Sequence, residues 1–300
     1  MNFRRLFLAP GILGLLALFS LFSLPVPAQQ GNEELVPLRL TTNPAEATVN
    51  IDDAYAGETG PKQAFPVAPG PHEVVVYKEG FLVEVRSVDV RAGEPADLSI
   101  ELAPDVAIPY GLSLARAPKF VQSEGDGMRT LVEVLDLVTE FHVSDPDGGD
   151  LMAHAFETVV GTLDAIRRRE SLLAARYEPA VRERFYGKEI DLSAYPELGV
   201  TRADTGPDVR FEVVAGRSRS TFSAPKTAPH RFALEFRGLR RWILENWDSR
   251  ALVSEDAFYF FAIQAVLGRL DDPFTYFLSP RAVAEMKIDT TQQLGGLGMQ

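Results

Sequence analysis

Leu270-Asp271-Asp272-Pro273-Phe274-Thr275-Tyr276-Phe277-Leu278-Ser279-Pro280 is the stretch on which the reading of this chain turns. An amphipathic helix pattern, Ser254 to Leu270, runs into it. The aspartates can cap that helix and Pro273 stops it, because proline lacks the N–H that a helix interior needs. Three aromatics and a leucine then run extended. Pro280 stands where a second helix can start, since the first helical N–H has no partner in any case. Ser279, just before it, fits a helix N-cap, its hydroxyl accepting backbone N–H bonds.

Upstream of this elbow the chain is helical. Leu131, Val134, Leu135, Val138 and Phe141 fall on one face of a helix spanning Met128 to Val143. After the Ser144–Gly149 break, a second helix is expected from Asp150 to Leu163. Asp145, Asp147 and Asp150 have a faint calcium-loop look, but the spacing with a twelfth-position glutamate is absent, so they read as a polar connection. A similar unit recurs as helices Phe236–Trp247 and Ser254–Leu270. Ala155, Val159, Gly161, Leu163 and Asp164 align with Ala262, Val266, Gly268, Leu270 and Asp271 at a constant offset of 107. This suggests a duplicated helical hairpin, the first copy in 128–185 and the second in 236–290. Between them 186–235 reads as an irregular insert with one strand candidate, Val209–Val214. Arg217, Arg219 and Lys226 form a small basic spot there, a solvated loop by default.

Downstream come Ile288-Asp289-Thr290-Thr291 and then Gly295-Gly296-Leu297-Gly298-Met299. The ordered set resembles the carboxyl-terminal processing peptidases, also called tail-specific proteases. The motif positions are Leu270, Asp271, Pro273, Leu278, Ser279 and Pro280, followed by the glycines that lead into a PDZ domain. The resemblance implies that Gly296, Leu297, Gly298 and Met299 belong to a peptide-carboxylate loop, in which successive backbone N–H groups capture a substrate's C-terminus. It also implies a serine–lysine catalytic domain. The chain reaches Gln300 with 291–300 only beginning a PDZ domain. The expectation is therefore the N-terminal portion of such an enzyme, inactive as it stands. On this reading the partners are protein or peptide C-termini, and the helices support a homo-oligomer or gate the site.

From Val36 to Leu102 the periodicity changes to two. Strands are expected at Leu38–Thr42, Thr48–Ile51, His72–Lys78, Leu82–Val90 and Ala96–Leu102. Asn43-Pro44, Gly57, Gly60-Pro61, Pro69-Gly70-Pro71 and Glu79-Gly80 supply turns between them. Thr42-Asn43-Pro44-Ala45-Glu46-Ala47-Thr48-Val49, Val67–Val74 and Glu79-Gly80-Phe81 make this segment look like a PEGA domain, a small β-sandwich at 36–103. The resemblance implies an envelope-associated binding or spacer module without known catalysis. The expected whole is thus an α+β multidomain chain, with 104–127 as a linker before the helices. The competing function is a non-catalytic envelope adaptor, anchored through this module and docking a partner through the helices.

The N-terminus carries an address. Arg4 and Arg5 precede an apolar run from Leu6 to Leu24, and Val26 and Ala28 are small residues suited to a cut before Gln29. A signal peptide over 1–28, cleaved after Ala28, and a tether over 29–35 are expected, with export to the periplasm or cell envelope. The alternative is an uncleaved membrane anchor.

Composition narrows the chemistry. The net charge is −12, and −14 once Arg4 and Arg5 are removed, so phosphate backbones repel the chain and nucleic acid is excluded as a partner. There is no cysteine, hence no disulfide framework, thiolate chemistry or cysteine metal site. His72, His142, His154 and His230 lie in unrelated elements, no HExxH pair exists, and no metal or other cofactor is implied. No GxSxG stretch is present and no serine sits between glycines with a lysine to follow, so no catalytic residue is assigned within these 300 residues.

Overall fold

A computed structural model describes residues 35–272, apart from Lys62, Ala115, Arg116, Glu124, Val143, Glu189 and Ser249. Beyond 272 it describes Thr275, Phe277, Leu278 and Val283. The fold is α+β and divides into two compact units. One holds residues up to 76 together with 85–101, and the other holds 77–84 together with those from 102 on.

The first unit is built on alternation. β1 (Val36–Asn43) buries every second residue over its first six, so Val36, Leu38 and Leu40 lie in the core while Arg39 and Thr41 face out. It pairs antiparallel with β4 (Ala64–Val67) and parallel with β7 (Ala96–Glu101). A second sheet has the order β3 (Ala54–Glu58), β2 (Thr48–Ile51), β5 (Gly70–Tyr77), β6 (Glu84–Val90). β3 and β4 carry little sequence signal. Every side chain of β3 but Gly57 is exposed, and Pro66 interrupts β4. Both are sheet edges, where a missing N–H or a missing apolar face costs little. Phe65 and Val67 of β4 still join Val49, Ile51, Val74, Val76 and Ile100 in the core.

The second unit is mainly helical. Its helices are α1 (Asp126–Phe141), α2 (Gly148–Arg176), α3 (Pro179–Tyr186), α4 (Pro229–Asn246) and α5 (Glu255–Gly268). Asp147 caps α2 by accepting from the Asp150 N–H at 3.0 Å. Ser254 caps α5 by accepting from the Ala257 N–H at 3.1 Å. α2 extends 13 residues past its expected end at Leu163, because the Arg167–Arg176 run contains good helix formers and no breaker.

The stretch 186–235 is not irregular. Between Tyr186 at the end of α3 and the start of α4 it forms an antiparallel sheet, ordered β10 (Ser218–Pro225), β9 (Asp208–Ala215), β8 (Leu198–Thr205). β9 shows the expected alternation, with Val209, Phe211, Val213 and Ala215 buried. β10 fully buries only Phe222 and Ala224 among serines and threonines, and β8 only Leu198, with Val200 partly buried against the core. Too few apolar residues mark those strands for a period-two pattern to stand out. One face of this sheet packs on α2 and α4, where the Phe156 ring stacks on Phe211 at 4.4 Å between centroids.

Carboxylates hold the connections of this unit together. Asp248, 1% exposed, accepts from Tyr195 Oη and from the Leu252 and Val253 N–H groups at 2.7–2.9 Å. Asp256 accepts from the Phe120 and Val121 N–H groups, both at 2.7 Å. Asp164, within α2, binds the Leu198 N–H at 3.1 Å and the Arg167 and Arg168 guanidinium groups. Loop 77–84 is gripped in the same unit: the Tyr177 hydroxyl donates to the Val83 carbonyl, and the Val83 N–H donates to Tyr186 Oη. An acidic chain thus directs much of its charge at its own backbone and arginines.

Candidate functional site

The elbow begins where α5 ends. Leu270 donates its N–H to the Leu267 carbonyl at 3.1 Å. Asp271 then turns the chain with φ 52°, a left-handed conformation that aspartate tolerates better than most residues. Asp272 closes the turn: its carbonyl accepts from the Thr275 N–H at 3.3 Å and its carboxylate from the Thr275 hydroxyl at 2.6 Å. Phe277 packs edge-on against Phe120 at 5.3 Å between centroids and tilted against Phe260 at 6.3 Å. The Phe120 seat is itself fixed, because Asp256 holds the Phe120 N–H. Sequence reasoning missed this support. Its one local signal is an aspartate in the first turn of a helix that begins at a serine cap.

Leu278 and Phe277 line one side of an open groove of about 370 Å³, whose other walls are Thr130, Val134 and Leu137 of α1 and Leu267 of α5. Leu137 and Phe141 project from α1 with 59% and 68% of their surface exposed. Pro273, Ser279 and Pro280 lie outside the described residues, as does the whole loop Gly296–Met299.

The histidines sit in different settings. His72 on β5 is clamped between two acceptors: Nδ1 lies 2.6 Å from the Asp52 carboxylate and Nε2 lies 2.7 Å from the Ala68 carbonyl. Both nitrogens donate only in the charged ring. The Asp52 bond, then the Ala68 bond, raise the pKa of His72, and the same contact lowers that of Asp52. Asp52 and Asp53 form the β2–β3 turn with φ 50° and 65°, and the Glu73 N–H also bonds the Asp52 carboxylate. This histidine is a structural tie between turns.

His154 on α2 is the opposite case. Its Nε2 lies 2.9 Å from the Tyr110 hydroxyl and 3.4 Å from that of Thr158. Burial, then the nearby Arg269 charge, lower its pKa. Around it Asp150 pairs with Arg269 and Arg202, and Arg202 also reaches Glu157 and Asp204. Asp150 and Asp147 are thereby used in pairing and capping. Among the described residues no group of histidine or carboxylate side chains is placed to hold a metal ion. The basic spot is neutralised in part, since Arg219 pairs with Glu212 and Lys226 with Asp204. His142 and His230 face Asp272 and Asp136 at 3.6 and 3.5 Å. These pairings join strands, loops and helix ends, and none combines a nucleophile, a base and an oxyanion site.

Among the described residues no helix is long and apolar enough to cross a membrane. Residues 35–105 match the family model of the PEGA domain. No curated protein and no solved structure matches the chain.

Proposed function

We propose that this chain is the N-terminal portion of an exported serine-type endopeptidase that processes the carboxyl termini of its substrates. The reading is carried by one observation: the order of the Leu-Asp, Pro273 and Leu278-Ser279-Pro280 steps directly after an apolar helix, followed by Gly295-Gly296-Leu297-Gly298-Met299. The elbow's described part supports it. A turn closed by Asp272 and an aromatic anchor at Phe277 fix the direction in which the chain leaves α5. In this reading the PEGA domain is an envelope-side spacer, and Gly296–Met299 start the loop that receives a substrate carboxylate. No serine–lysine dyad is assigned within these 300 residues, and by themselves they are expected to cleave nothing.

The test follows the native product. Cell fractions are blotted with an antibody raised against residues 126–246 and assayed on a peptide with a free apolar carboxyl terminus and on its amidated twin. The expected result is an envelope-fraction product larger than 33.0 kDa that cleaves the free peptide and spares the amide. A product of no more than that mass without cleavage rejects the peptidase and leaves the non-catalytic envelope adaptor.

A further inference from the structure

The groove between α1 and α5 has a counterpart within the same unit, and that counterpart is covered. The caps Asp147 and Ser254 stand 107 positions apart, and the buried–partly buried pattern over 155–160 repeats over 262–267. The first helices correspond at an offset of 105. Leu131 and Val138 of α1 take the inward places of Phe236 and Ile243 on α4, and the partly buried Val134 takes that of Leu239, whereas the buried Leu135 falls on the partly buried Arg240. The main helix–helix contacts, α2 with α5, α1 with α4, α1 with α5 and α2 with α4, are a set that the exchange of α1 for α4 and α2 for α5 maps onto itself.

The exchange carries the sheet-bearing face onto the groove. On α4, the Glu235 carboxyl bonds the Ser223 backbone, and Gly238 lies under the Phe222 ring. Subtracting 105 gives Thr130 and Glu133, both lining the groove, and the same shift takes Leu239, Trp242 and Ile243 to its Val134, Leu137 and Val138. On the facing helix, Val160 of α2 corresponds to the groove's Leu267 on α5. Helices α2 and α4 hold the sheet β8–β10 over this surface. Among the described residues, the same positions on α1 and α5 meet Thr275, Phe277 and Leu278 along one edge, and Leu137 stays largely exposed.

We propose that the α1–α5 groove is a docking surface for an antiparallel β-sheet whose apolar face presents an aromatic residue and, two positions on, a small apolar one. That is the pattern Phe222-Ser223-Ala224 offers to α4. A strand is the fitting occupant because its alternate side chains can enter the gaps between helical rows, as β10 does on the covered face. The inference stands on the internal correspondence and is independent of the proposed function.

The chain's own hairpin is the probe. A peptide of residues 208–225 is closed by a disulfide between cysteines replacing Asp208 and Pro225, which are register partners. Because the protein has no cysteine, an environment-sensitive fluorophore can be placed at Phe141→Cys alone. The expected result is a saturable blue shift on adding the peptide, weakened at least about tenfold by Leu137→Asp in the protein or by Phe222→Asp in the peptide. Leu137 is exposed, so that variant keeps its fold. No shift, an equal shift from a label at the exposed Leu234→Cys on α4, or indifference to both aspartates overturns the proposal. So does a shift driven by protein concentration alone, which would make a second copy of the chain the occupant.

Discussion

Helices α2 and α5 start from equivalent caps and align up to the same Leu-Asp step, Leu163-Asp164 inside α2 and Leu270-Asp271 just past the end of α5. Around that step they part. α2 continues through Ala165-Ile166 to a length of 29 residues, while α5 has already closed after 14 and meets Asp272-Pro273. Asp164 stays helical and binds the first strand of a sheet; Asp271 adopts φ 52° and turns the chain away. A proline two residues after a shared aspartate separates a long sheet-carrying helix from a short one that ends in an elbow. The shared skeleton is a packing solution. What each copy carries beyond it is where function can differ.

The connections inside the two hairpins differ most in energy. In the second, Asp248 is buried and accepts three hydrogen bonds. Its presence also contributes to holding the Tyr195 phenol at a pKa of about 12, after burial. In the first, the Ser144 hydroxyl meets His142 Nδ1 at 2.8 Å in an exposed setting. Asp248→Ala strands three donors and is expected to lower stability by about 3–5 kcal/mol in urea unfolding. Ser144→Ala is expected to change it by less than about 0.5 kcal/mol. Similar losses at both positions would mean the two connections are held alike.

The paired glycines sharpen the contrast through its sign. A Cβ on Gly161 of α2 meets no atom within 4 Å, so Gly161→Ala removes glycine's entropic cost and is expected to stabilise by about 0.5–1 kcal/mol. A Cβ on Gly268 of α5 would lie 2.1 Å from the Tyr110 ring, itself held at φ 55°. Gly268→Ala must push the ring off its seat and is expected to destabilise by about 1–2 kcal/mol. Thermal melts of the two variants should move in opposite directions.

How far this was legible depends on where each signal lives. The second helices show their offset because small residues at 155, 161, 262 and 268 are kept in register. The first helices hide theirs: Leu131 against Phe236 and Val138 against Ile243 share burial and no identity, and the second connection is two residues longer. The β-module's inner strands announce themselves by alternation, whereas edges β3 and β4 lack an apolar face or carry a proline. The sheet β8–β10 has one clear strand and two whose buried positions are few. The carboxylates at 248 and 256 bond partners 53 and 136 residues away, a pairing that no local pattern encodes. Of the candidate site, Leu270, Asp271 and Leu278 are described, in a turn and in a groove wall, while Pro273, Ser279, Pro280 and Gly296–Met299 lie outside the described residues.

The smallest effect separates copies and units alike by pH. His154 of the first copy stands where the second has Phe261, 107 positions on. Burial and Arg269 lower its folded pKa, so the unfolded chain binds the proton first. Its contribution is complete above the unfolded value near 6.5 and is lost as pH falls through the depressed folded one. His154→Phe, which copies the second hairpin, should flatten that acid slope in urea unfolding of the helical unit. His72 in the β-module has the opposite sign. Its pKa is raised by Asp52 and the Ala68 carbonyl, so its stabilisation is full below about 6.5 and is lost as pH rises through the folded pKa. His72→Gln should therefore remove an alkaline slope while leaving the His154 acid slope of the helical unit untouched. Ring-proton NMR titration reads each site directly, and finding the two histidines shifted in the same direction would break the contrast between a ring caught by a carboxylate and a ring packed beside arginines.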